Sequence, residues 1–523
     1  MSVRPRLRLD RHDAPTPADD ASAVALVDAL TAKLNTSRTD LEQWDRYYRG
    51  TQPLSFLHPE VALTVGERLK SMVVNWPRLV LDALEERLDI TGFRLPGQDA
   101  ADQGIWRLWQ ANNFDLASGR CHLAALRHGR AFVTVWSSPD PQLPRLAVET
   151  ARQMTVDYYP GTCAVRYALK RWTDGSLEYA NLYLPDRITK YVRGGEIAKT
   201  PGAREVGGWV IRGELDNPLG VVPVVPFLNR YDLDMPDGES ELTDVVHLAD
   251  AINKLATDMM VASEFHAMPR RWATGIEVSA GPEAKRVEEK ARKYWDEAIA
   301  GRTWLAGKEV TLGQFASADL SNFTNAINLL TAKAAALAGL PPHYVGITAD
   351  NPASADAIRS AEAALVKRAE RKQRTFGESW EAVIRLALQV RDGSLDPAYA
   401  EMETVWRDPQ TPTVAQRADA ASKLHTAGII DVEQAQEDIG YSPQQRQQMA
   451  DRRRKALALQ ATADMRARVE QALALINEHG IEEKVAFASV GLITAPKGTS
   501  AGPEAPAPPD GDPLDTTADT AAG

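Results

Sequence analysis

Three prolines within twelve residues, Pro341, Pro342 and Pro352, interrupt what is otherwise the most helical stretch of the chain. Proline has no N–H to donate and clashes with the preceding turn, so no helix runs through this segment and the chain must turn. On its N-terminal side the apolar spacing predicts a helix from about Leu320 to Ala338. On its C-terminal side it predicts one from near Ser354 to about Val390, on the order of 55 Å long at 1.5 Å per residue. An earlier helix opens at G238-E-S-E-L and places Leu242, Val245, Val246, Ala249, Ile252, Ala256, Met259 and Met260 on one face. Between Met268 and Asp319 lies a small insert read as strand, helix (about 282–300) and strands. Long helices around a bounded loop describe a part that holds a shape.

The rest of the chain divides by periodicity. Residues 1 to about 20 are polar and proline-bearing and are expected to form a mobile arm. A21–N35 and T39–R49 read as helices, with Thr39 as N-cap and Gly50 as the residue past the C-terminus. N75–L88 reads as a third helix, and Trp106, Trp109 and Phe114 belong to a short helix and its exit. From Ala131 to Phe227 the pattern turns strand-like, and the Asp174-Gly175 turn marks residues 165–184 as a hairpin. A strand is expected at M402-E-T-V-W, then helices from about 413 to 478. From Pro496 the composition predicts disorder. The fold class is therefore α+β, mostly helical with an antiparallel β unit.

Composition narrows the function. The net charge is −11, from 60 basic and 71 acidic residues, so the chain as a whole is not built to grip nucleic acid tightly. A nucleic acid that must slide is not excluded. No apolar run reaches the roughly 18 residues a membrane span needs, and the N-terminus lacks a secretory apolar core. Two cysteines, Cys121 and Cys163, make neither a disulfide framework nor a four-thiolate metal site.

Catalytic patterns fail one by one. G301-R-T-W-L-A-G-K-E has the wrong glycine spacing for a phosphate loop and carries Glu309 where Ser or Thr must stand. His122 and His128, and His247 and His266, lack metal-ligand spacing. The sharpest basic run, K367-R-A-E-R-K-Q-R, reads as a solvated or inter-subunit helix face more readily than as a nucleic-acid site, and D451-R-R-R-K likewise. No catalytic residue, metal or cofactor is expected.

The order of certain blocks resembles the portal proteins of tailed bacteriophages: Y47-Y-R-G-T-Q-P-L, L219-G-V-V-P-V-V-P-F-L-N-R, G238-E-S-E-L-T-D-V, M268-P-R-R, G339-L-P-P-H-Y-V-G, N351-P-A-S-A-D-A-I-R and V405-W-R-D-P. The likeness spans roughly residues 40–440. It implies a head-to-tail connector at one capsid vertex of the virion, assembled in the host cytoplasm. The connector would be a homo-oligomeric ring, typically a dodecamer, through which double-stranded DNA passes during packaging and ejection. It would have no enzymatic activity of its own and no membrane contact. Its expected partners are terminase, head-completion or adaptor proteins, and major capsid and scaffolding proteins.

The resemblance also implies regions. These are a wing (21–238 and 354–412), a first stem helix (239–267), a clip (268–319) and a second stem helix (320–339). A tunnel loop (340–353), a crown (413–490) and a tail (491–523) complete the chain. His343, Tyr344, Thr348, Asp350 and Asn351 are the tunnel-loop candidates for weak contacts with DNA backbone. Leu242, Val245, Ala249, Ile252, Ala256 and Met259 are the stem packing residues. The alternatives are a nucleotide-using or nuclease enzyme of the packaging apparatus, or a minor capsid or scaffolding component.

Overall fold

A computed structural model describes residues 16–53, 73–98, 101–162, 164–194, 204–232, 234–267, 271–274, 285, 289, 311–314, 319–346, 355–410 and 414–493. The chain divides into two compact units, residues 1–443 and 444–523. Most of the expected arm (1–15), the phosphate-loop near-miss (301–309), Cys163 and the chain from 494 lie outside the described residues.

Two helices, α1 (Asp20–Thr36) and α2 (Arg38–Arg49), are separated by Ser37 alone. Asp19 and Ser22 form a capping box at the start of α1, so ordered helix begins at the edge of the expected arm. Thr39 is already inside α2, because the turn is tighter than the sequence pattern indicated; Gly50 is left-handed and ends the helix as expected. Three helices come next, α3 (Trp76–Glu85), α4 (Gln103–Ala111) and α5 (Phe114–His128), with β1 (Ile90–Arg94) between the first two.

The β region holds β2 (Arg130–Trp136), β3 (Arg145–Thr150), β4 (Met154–Tyr158), β5 (Val165–Asp174), β6 (Leu177–Tyr183), β7 (Arg187–Arg193), β8 (Glu205–Val206), β9 (Trp209–Asp216) and β10 (Val224–Leu228). They form an antiparallel sheet in the order β10-β2-β3 and another in the order β4-β5-β6-β7-β9-β8. The predicted hairpin is β5–β6, with Asp174 paired to Leu177. Alternation explains the layering. Tyr167, Leu169, Ala180 and Leu182 point to one face of the larger sheet and pack on Ala23, Val24 and Val27 of α1. Ala168, Met154 and Val156 point to the other and meet Phe132, Val222, Val224 and Leu41.

Helices α6 (Val246–Ala267) and α7 (Ser321–Ala338) pack against each other. Between them, β11 (Arg271–Thr274) pairs with β12 (Thr311–Gln314). The 38-residue α8 (Ala355–Asp392) comes after α7 and is about 57 Å long. Then β13 (Glu403–Trp406) pairs antiparallel with β1 across more than 300 residues of chain. The first unit ends with α9 (Val414–Thr426) and α10 (Val432–Ile439). Helix α11 (Pro443–His479) belongs to the second unit but for its first residue and precedes α12 (Glu483–Ser489); Ala472 of the one and Ala486 of the other are buried. Among the described residues no helix is long and apolar enough to cross a membrane.

One expectation shifts. The helix expected from 239 begins at Val246, and residues 241–245 form turns. The cause is polar: Ser240 Oγ accepts from the Leu242 backbone, and the Glu241 side chain is drawn into the core. The apolar face survives the change, since Leu242 and Val245 are buried in the turns as completely as Ile252 in the helix.

Candidate functional site

Several of the blocks that carry the sequence resemblance lie around the entry to α6 and the exit of α7. At the entry to α6, Gly238 lies against the end of α5. It has a φ of +71°, and a Cβ there would stand 2.4 Å from the Gly129 carbonyl oxygen and 2.6 Å from that of Asn229. Only glycine tolerates both the dihedral and the approach. Backbone bonds from Asn229 to Gly129, from Glu239 to Asn229 and from Glu241 to Leu126 close the junction.

A buried charge network sits on it. Lys372 of α8 donates to Asn229 Oδ1 at 2.6 Å and pairs with Glu241 at 2.5 Å, while Arg230 pairs with Glu241 at 3.0 Å and with Asp244 at 2.7 Å. Burial alone would raise the Glu241 carboxyl, but Lys372 and Arg230 overcome it and hold it below its ordinary range. Burial also lowers the Lys372 ammonium, against the pull of Glu241. Tyr47, from the first motif block, donates to Asp250 at 2.8 Å on the first turns of α6.

One and two turns further along the same face of α8 the chemistry changes. Phe376 stacks on His122 at 5.4 Å, and Trp380 donates through Nε1 to His122 Nε2 at 2.8 Å. The His122 proton therefore resides on Nδ1. Full burial pushes its pKa down to about 3, so the ring is neutral. Trp109, Phe114 and Phe227 pack around Trp380, and Trp406 of the V405-W-R-D-P block closes over His122.

The exit of α7 is held differently. Arg368 donates through both terminal nitrogens to the last carbonyls of α7, at 2.7 Å to Ala338 and 2.6 Å to Leu337, where a cation also meets the negative end of the helix dipole. Pro342–Val345 form a single 3₁₀ turn. The Tyr344 hydroxyl accepts from Arg87 at 2.9 Å and donates to Glu362 at 3.4 Å, and buried Arg87 also bonds the Pro409 carbonyl. His343 is exposed, 4.0 Å from Glu362.

Of the predicted residues, Leu242, Val245, Ala249, Ile252 and Ala256 are buried and Met259 half-buried. His343 faces solvent, and Tyr344 is half-buried with its hydroxyl engaged. Thr348, Asp350 and Asn351 lie outside the described residues. The basic run at Lys367 is divided: Lys367, Arg371 and Arg374 are exposed, whereas Arg368 and Lys372 bond as above and Gln373 donates to the Arg87 and Arg407 carbonyls at 3.0 Å. Arg87, Glu241, Glu362 and Arg368 carry the geometry but were not foreseen. No local pattern marks them, because most of their partners lie far away in the sequence.

A groove of about 730 Å³ beside the loop base is lined by Arg359, Glu362, Lys367, Asp408, Arg417 and Asp438, a mixture of signs with no nucleophile beside a base. Among the described residues no group of three His, Cys, Asp or Glu side chains is placed to hold a metal ion.

The chain is similar to known proteins over most of its length. Residues 28–451 match the family model described as phage portal protein, SPP1 Gp6-like. The portal protein of Mycobacterium phage L5 is 37% identical over 407 residues, 74% of this chain and 80% of that protein. The portal protein of Mycobacterium phage D29 is 35% identical over 457 residues, 83% and 90% of the two chains. Among solved structures, a chain from the neck of an empty gene transfer agent particle computed with C6 symmetry aligns with a TM-score of 0.45 at 15% identity, covering 77% of this chain and 94% of that one. With the family model spanning most of its length and two relatives above one third identity, the chain belongs to the SPP1 Gp6-like family of phage portal proteins.

Proposed function

We propose that copies of this chain close into a ring, a dodecamer, with α6 and α7 as the wall of an axial DNA channel. Segment 268–319 is then the clip on which terminase and head-completion proteins dock, 340–353 the tunnel loop and 413–490 the crown. The observation that carries the reading is the composition of the α6–α7 pair. One face of α6 is buried, while Met260 of α6 and Leu329 and Leu337 of α7 are 43%, 59% and 49% exposed. A neighbouring pair in a ring covers such residues. Of the 18 residues of α7 only Lys333 is charged, as suits a wall past which duplex DNA slides without sequence readout.

The second support is the fastening of the loop base. Arg368, Arg87 and Glu362 fix residues 337–344 to the rigid α8, which gives the tunnel loop a firm mount. Negative-stain images of the purified chain are expected to show rings of uniform subunit number, and monomers or filaments under all conditions would overturn the assignment. Deleting 347–350 is expected to preserve rings and to impair DNA packaging or retention. Collapse of assembly with normal packaging in surviving rings would show that the loop is misplaced.

A further inference from the structure

Two unlike surfaces adjoin the six-stranded sheet, one on its face and one by its β4 edge. On the face away from α1, Trp172 of β5 stacks on Tyr179 of β6 with ring centres 5.2 Å apart and planes 12° from parallel. Lys170 stands over Trp172 at 5.5 Å and Arg212 of β9 over Tyr179 at 5.1 Å. Lys170 is neutralised by Glu149 at 2.5 Å, but Lys190 and Arg212 have no carboxylate partner among the described residues. This leaves an aromatic column flanked by net positive charge. The rings already hold a cation or each other on their faces, so they present edges, a poor platform for unstacked bases and a good one for side chains.

One margin of the same sheet is formed by β4, the neighbour of β5. Lys33 donates to the outward Val156 carbonyl of β4 at 2.9 Å and to Asp237 at 3.2 Å, which ties the turn before α6 to this edge. That turn shows Asp234 to solvent beside Met235, which is 46% exposed, and it is ordered by the bond from the Gly238 N–H to the Met235 carbonyl. β4 and β9 stand four strand spacings apart, about 19 Å.

We propose that the Trp172–Tyr179 face with Lys190 and Arg212 receives the Asp234–Met235 turn of a second copy of this chain. The two patches differ in sign, and one lies on a face of the sheet while the other is tied to its β4 edge, so pairing them repeats head to tail rather than about a two-fold axis. Met235 supplies a thioether for the aromatic edges and Asp234 a carboxylate for Arg212. The proposal rests on the ring reading above and adds which surfaces meet.

The test uses the full chain, with oligomer distribution measured by mass photometry and fold monitored by circular-dichroism melting. Arg212→Glu and Asp234→Lys are each expected to lower ring yield at least tenfold with unchanged monomer melting. The double charge swap, Arg212→Glu with Asp234→Lys, is expected to restore most of it. Wild-type rings matched by undiminished rings of both single variants would overturn this pairing while leaving the ring intact. So would a double swap that fails to recover although its monomer melts normally. A wild-type chain that never forms rings would overturn the ring reading itself.

Discussion

Helix α8 fastens the first unit with a single face whose two ends differ in kind. At Lys372 the contact is ionic, with a buried ammonium, Glu241 and Arg230 locking the turn that precedes α6. One and two turns on, at Phe376 and Trp380, it is aromatic and neutral, with His122 as the polar partner. The ionic end specifies geometry, because moving Glu241 by a few ångströms would strand a charge in a low dielectric. The aromatic end supplies adhesion, because several large rings lose their water there. A helix that anchors α6 needs both: area to hold it and charge to fix where it starts.

Substitutions can separate the two roles. Trp380→Ala removes the largest ring of the aromatic end and leaves His122 Nε2 without its donor, so a loss of about 3–5 kcal/mol is expected in urea unfolding. A loss under about 1 kcal/mol would show the cluster to be slack. Lys372→Met strands Glu241 beside Arg230 alone, with an expected loss of about 3 kcal/mol. Adding Glu241→Gln to that variant should recover a good part of it, whereas strict additivity would mean that the pair does not act as a unit.

Acid should distinguish the ends by window. His122 has a folded pKa near 3 against the ordinary 6.5, so the folded state binds fewer protons than the unfolded. Its contribution is intact above pH 6.5 and falls as pH drops toward 3, by about 2 kcal/mol at pH 5. Glu241 is depressed below its ordinary 4.5, so its contribution is intact above that value and is lost only in stronger acid, as pH falls through the folded pKa. His122→Phe should lessen the rise of stability between pH 5 and 7, where buried His128, also lowered, and Glu85, raised to about 7, act as well, and should leave the steeper acid limb in place. An unchanged slope there would show that His122 is not a proton-linked group. The smallest effect is expected away from α8's core face: Tyr344→Phe, which removes only the hydroxyl between Arg87 and Glu362, should cost about 1 kcal/mol. A cost as large as that of Lys372→Met would make the loop base as rigid as the ionic junction.

Much of the architecture is readable in the residues. The prolines at 341, 342 and 352, the apolar face from Leu242 to Met259 and the Asp174-Gly175 turn are local signals, and the elements they predict are present where residues are described. Strand β1 carries no alternating pattern of its own: it is interrupted at Gly92 and, among the described residues, pairs only with β13, some 310 positions away, while β4 lies within the stretch that reads as strand-like. Of the loop candidates, His343 and Tyr344 are in view, and Tyr344 proves to be a fastening as well as a surface residue.

The sequence by itself determined where helices and hairpins form and which family the chain belongs to, because periodicity, turn chemistry and motif order act over a few residues at a time. Only the tertiary structure decided what the charges do. The run K367-R-A-E-R-K-Q-R has the composition of a nucleic-acid face, yet Arg368, Lys372 and Gln373 spend their donors on helix-end carbonyls, a buried carboxylate and distant backbone. A cation's role is fixed by the acceptor it reaches, and those of Arg368 and Lys372 lie 30 and 143 residues away along the chain.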